Sequence, residues 1–172
     1  GRIADAATDD MAAMLLTNPP WRELFFIWLQ GNIQDPRMPL QLLLKLKQSP
    51  VPATAAEFGP YVTLLINNKL YDLAYGAWLQ SLDAEQLAHA GFIYNGAFDY
   101  PPASYPFAFE WSLKPGSGVI VDMVTLENAN RALMIKFGPG RADFKPVSQM
   151  TMLMPGNYTL TVEAQGFRKL VR

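Results

Sequence analysis

Cysteine is missing altogether from these 172 residues. That excludes disulfides, thiolate metal sites and a cysteine nucleophile, and it leaves the compartment open. Histidine occurs once, as His89. A Ser-His-Asp triad would have to be built on that one ring, and no nucleophile signature lies near it. An excess of one charge is missing too: 14 Lys and Arg face 15 Asp and Glu, for a net charge of -1. With no basic surplus to neutralise phosphates, nucleic acid is not an expected partner. No apolar run approaches the roughly 20 residues of a membrane-spanning helix. The longest, at 40–46 and 61–66, are short and interrupted by polar residues. Metal-ligand spacing and clustered carboxylates are absent, and Gly138-Pro139-Gly140-Arg141 lacks the Lys-Ser/Thr end of a phosphate loop. No cofactor and no metal is expected.

What is present is a folding composition. Half of the residues are apolar and only 17% are charged, which excludes a disordered chain. Eight Met and fourteen Pro are many for this length; Met fills irregular gaps or lines adaptable surfaces. Gly1-Arg2 is not a natural start, so the chain reads as an excised or processed piece.

The texture changes at Gly91. Before it, apolar residues recur three and four apart, as in amphipathic helices. Residues 3–17 are Ala-rich, with Met11, Met14 and Leu15 as an apolar edge. Asn18-Pro19-Pro20 stops that helix and starts another, with Asn18 as the N-cap. Trp21, Leu24, Phe25, Trp28 and Leu29 then fall on one stripe, which predicts a buried face. Asp35-Pro36 repeats the cap-plus-proline start before a Leu-rich helix. Thr54 with Glu57, and Asp83 with Gln86, have capping-box spacing. The seam of Ala74 and Ala77 in the stretch 61–82 suits a tight helical hairpin. The sequence LLINNKLYDLAYGAWLQSL resembles one tetratricopeptide-type hairpin, with no second copy at the spacing of about 34 residues. An ordinary helical bundle fits as well.

After Gly91 the pattern is that of short strands broken by Pro and Gly. Phe92-Ile93-Tyr94 opens one, and Asn95-Gly96 signals a turn. Phe107, Phe109 and Trp111 alternate with Ala108 and Glu110, which predicts a half-buried strand. Val119, Val121 and Met123 mark another; residues 132–137, 144–154 and 158–164 supply three more. Strands at this spacing predict a sandwich or jelly roll. The fold class expected is therefore α+β: a helical segment over 1–90 and an antiparallel β-sandwich or partial jelly roll over 91–172.

Asn95-Gly96-Ala97-Phe98-Asp99, the Trp111 strand, Gln149, Pro155-Gly156 and Tyr158 follow one another in a recognisable order. Over residues 92–166 this resembles a carbohydrate-binding-like jelly roll. Members of that family usually continue for several more strands. The resemblance thus implies a sandwich completed by further sequence, another chain or the helical half, or else a sheet with open edges. It also implies a glycan ligand, a structural calcium near the first strand to which Asp99 could contribute, and a periplasmic or cell-envelope setting in a bacterial polysaccharide-related protein.

The candidate ligand residues are Tyr100, Tyr105 and Asp99. The two tyrosines sit in a Pro-rich loop, and a flat ring with a polar tip suits a sugar face. Their bland reading is packing against the helical half; that of Asp99 is a solvated loop acid. The expected function is a non-catalytic accessory module that binds a glycan through its β segment. Its helical hairpins would contact a protein partner or self-associate. A pure scaffold is the alternative, favoured if those rings are buried. An enzyme would need Asp99 and Glu110 to face one cleft, about 5 to 10 Å apart.

Overall fold

The computed structural model describes residues 2–103, 106–127 and 130–166, with side chains from Ala7 onward. Their regular structure is six helices and one hairpin: α1 (Arg2–Leu16), α2 (Arg22–Asn32), α3 (Met38–Lys47), α4 (Ala55–Asn67), α5 (Tyr71–Ser81), α6 (Ala84–Ala88), β1 (Val119–Thr125) and β2 (Arg131–Phe137). Among these residues no helix is long and apolar enough to cross a membrane.

Both capping boxes form. Thr54 Oγ1 accepts from the Glu57 amide while Glu57 Oε2 accepts from the Thr54 amide, at the start of α4. Asp83 and Gln86 exchange the same pair of bonds at α6. Each satisfies amides that the first helical turn leaves without partners. Asn18 acts differently from the expected N-cap. It takes φ of 51° and its amide donates to Leu15, so it closes the end of α1, as Asn tolerates in the left-handed region.

α2 packs on α4, α1 packs on α3, α3 also meets α4 and α5, and α4 and α5 pair as a hairpin. The hairpin is close because Ala74 and Ala77 are both fully buried at its seam. Leu15, Phe26, Leu43, Leu46, Phe58, Leu65 and Trp78 fill the core. That core does not end at Gly91, since Tyr94, Phe107 and Phe109 belong to the same buried cluster.

The β-sandwich or jelly roll expected over 91–172 is not formed among the described residues, and the α+β class is corrected with it. The chain is helix-dominated, with one antiparallel pair in which Val119 faces Phe137 and Thr125 faces Arg131. Residues 92–98 form bends and turns, and 107–110 form a turn closed by the Glu110 amide on the Phe107 carbonyl. Residues 144–166 are extended but hold only one bridge, Ser112 with Ser148. The alternation there is genuine; what is missing is a ladder partner, without which an extended segment is not a strand. The hairpin itself is anchored where 141–143 returns over 116–118. The Asp143 amide donates to the Ser117 carbonyl. Gly116 lies so close to the Asp143 carbonyl that no Cβ would fit there.

Candidate functional site

Three surfaces carry enough chemistry to be weighed: the outer face of α2, the junction of α5 with the chain after Gly91, and one open cleft.

The outer face of α2 is set by what its inner face does. Arg22 and Phe26 are the buried residues of this helix. The Arg22 guanidinium donates to both Glu57 oxygens, Nε at 2.5 Å and Nη2 at 3.0 Å, and also to the carbonyls of Leu15, Val51 and Pro52. A buried charge needs such pairing, and here it fixes α2 against α4 in one rotation. At 100° per residue, Trp21, Leu24, Ile27, Trp28 and Gly31 then point away from α4. Leu24 is 65% exposed and Trp28 57%, against 2% for Phe26. The expected buried stripe of Trp21, Leu24 and Trp28 is therefore turned outward. Only Phe25 and Leu29 of that set pack against the core. Trp21 and Trp28 both lean on Phe25, with ring centroids 6.2 and 6.5 Å away. Exposed apolar patches of this kind on soluble chains mark contact surfaces.

The junction is held by side chains where strands were expected. The Trp78 indole donates to Glu110 Oε1 at 3.1 Å, and the Phe107 amide donates to Glu110 Oε2 at 3.3 Å. Burial pushes the Glu110 carboxyl above its ordinary range, and these two donors only partly offset that. Burial, and then the nearby Glu110, push the Tyr94 phenol up to about 12. Gln149 accepts from the Tyr94 amide and donates to its carbonyl, in the manner of a strand neighbour. The Phe109 ring packs on both Tyr75 and Trp78, which also meet each other; the three centroids form a triangle with sides of 5.2, 5.4 and 5.3 Å. Glu110 thus accepts one hydrogen bond on each oxygen from the fold itself.

Tyr100 is partly buried and lies against exposed groups at α6. Its ring meets His89 edge to face at 5.5 Å, and its hydroxyl reaches Glu85 at 3.4 Å, both at α6. The Asn95 side chain clamps the Tyr100 backbone on both sides. Tyr105 lies outside the described residues. Asp99 is exposed, and its backbone carbonyl accepts from Arg131. Tyr100 and Asp99 are thus neighbours in sequence without sharing a pocket. Among the described residues no group of three or more metal-ligating side chains gathers. Asp9, inside α1, pairs with Lys45 of α3.

The open cleft, about 450 Å³, lies between the start of α3 and the α4–α5 turn. Arg37, Leu40, Lys69, Tyr71 and Asp72 line it. With cations and a carboxylate on the same wall it has no single-sign field to attract an ion.

The α2 face escaped the sequence reading because periodicity shows which residues share a stripe, not which way the stripe turns. One signal was available: a competing stripe of Arg22, Phe26 and Leu29 on the other side. No protein-family model, no curated protein and no solved structure matches the chain.

Proposed function

We propose that this chain is a non-catalytic docking module, whose helical part offers the outer face of α2 to a protein. The observation that carries the reading is the stripe of Trp21, Leu24, Ile27 and Trp28, set opposite the buried Arg22 and Phe26. The packing of α2 on α4 leaves this opposite apolar face free for a further helix. The Tyr100 ring and hydroxyl already meet His89 and Glu85 of the chain itself, which favours a scaffold role for the loop over ligand binding. The periplasmic or envelope setting belongs to the same proposal and is tested by fractionation of the source cells.

A photo-crosslinking residue at position 24, in cells, tests the docking role. Protein adducts should form there and not at the exposed Thr63 of α4. Equal labelling at the two positions would count against the reading.

Glycan binding by the back of the chain remains a second reading, for one observation. Phe92 and Tyr158 meet edge to face at 5.7 Å, both exposed, and paired exposed rings suit a sugar face. A glycan array with the native chain and with Tyr158→Ala tests it; no glycan bound by the native chain would remove it.

A further inference from the structure

The α2 face has a shape that narrows its occupant. Along the outward stripe run Trp21, Leu24, Trp28 and Gly31, at i, i+3, i+7 and i+10. The order is large, medium, large, then none. A Cβ placed on Gly31 would meet nothing within 4 Å, so the space above it is open. Two such helices laid antiparallel about a two-fold axis near Phe26 pair position 21 with 31 and 24 with 28. Each Trp21 then covers the open space over the other copy's Gly31, and each Leu24 meets the other copy's Trp28. A surface that fits its own two-fold image is the requirement of an isologous dimer.

Charge does not oppose this pairing. Arg22 is neutralised inside the fold by Glu57, and Glu23 is the only other charged residue of α2. Trp21, Leu24, Ile27 and Trp28 are 40%, 65%, 48% and 57% exposed. Covered completely on both copies, they would hide on the order of 1,000 Å², just under the usual range for specific interfaces and enough for a modest dimer.

We propose that the occupant of the α2 face is a second copy of this chain, with α2 laid antiparallel on α2 about a two-fold axis. This rests on the docking role proposed above and names its partner. The partner helix packs on the side of α2 opposite α4, so α2 of each copy lies between its own α4 and the partner's α2.

Sedimentation equilibrium of the purified chain, native and Leu24→Glu, is the test. The native chain should weigh twice the monomer, and Leu24→Glu should weigh one monomer at the same concentration, with an unchanged helical circular dichroism spectrum. A photo-crosslinker at position 24 of the purified chain should join two copies through residues of α2. A native chain that stays monomeric at the highest soluble concentration would overturn the second-copy proposal. Adducts from cells to a different protein would in that case leave the docking role standing. Crosslinks from position 24 only to the chain's own residues would overturn both. A Leu24→Glu chain that remains dimeric would place the dimer contact elsewhere and overturn the proposal too. Because Leu24→Glu alters an exposed position, Gly31→Trp serves as a second variant: it fills the space above Gly31 and should weaken dimerisation at least tenfold.

Discussion

The indole of Trp78 is hydrogen-bonded to the carboxyl of Glu110, 32 residues later in the chain. The bond ties α5 to the turn at 107–110 and closes the core that spans the change in texture. Burial raises the carboxyl's pKa, so folding holds the proton more tightly than the unfolded chain does. The unfolded carboxyl ionises near its ordinary value of about 4.3. Below that, the group is protonated in both states and its contribution to stability is fully present. As pH rises through the raised folded value, that contribution is lost. Urea midpoints of the native chain should therefore fall relative to Glu110→Gln over this window. Parallel curves would contradict the assignment. Glu110→Ala should cost about 1–3 kcal/mol, because it leaves two buried donors without an acceptor.

Arg22 and Glu57 make the other long-range polar link, and both are almost wholly buried. Glu57→Ala should cost about 3–5 kcal/mol, since it strands a buried guanidinium. Arg22→Met combined with Glu57→Leu should cost less than the single changes added together. A double-mutant cycle by urea denaturation checks this; a coupling near zero would show the pair to be incidental.

The Tyr61 hydroxyl is buried and has no hydrogen-bond partner among the described residues. Burial, with Asp35 nearby, pushes its phenol up to about 12. Removing a hydroxyl that is desolvated without compensation should stabilise. Tyr61→Phe is expected to raise the unfolding free energy by about 1 kcal/mol. A loss of that size would mean the hydroxyl is satisfied after all.

Residues 151–166 make no backbone–backbone hydrogen bond among the described residues, although Leu160 and Val162 alternate as in a strand. Amide exchange should therefore be fast at Leu160 and Val162 and slow at Val121 and Met123, whose strand is paired with β2. Slow exchange at Leu160 would indicate a strand partner, and with it the sheet that the alternation suggests.

The parts of this fold legible in the sequence are the local ones. The capping boxes at Thr54 and Asp83 could be read because a cap is decided within four residues. The hairpin seam at Ala74 and Ala77 and the strands β1 and β2 were legible for the same reason: short-range pattern and turn residues specify them. What was not legible depends on partners distant in the chain. The buried Arg22 shows it best, because nothing near it announces Glu57. Its burial turns α2 and sends Trp28 outward. Alternation at 158–162 shows that a segment is fit to be a strand, but not that a neighbour exists. The neighbours of Tyr100 were not legible either, because a Pro-rich loop does not reveal that Asn95 clamps its backbone beside α6.

The account turns on α2 holding the fold by one face and leaving the other free. Unfolding free energies of Phe26→Ala and Trp28→Glu, measured side by side in dilute solution, test that most directly. Phe26→Ala should cost about 3–5 kcal/mol, as for an aromatic removed from a packed core. Trp28→Glu should stay within about 0.5 kcal/mol of the native chain, as for a surface change. A comparable loss from both would mean that the outer stripe is buried by the chain itself, and the docking face would not exist.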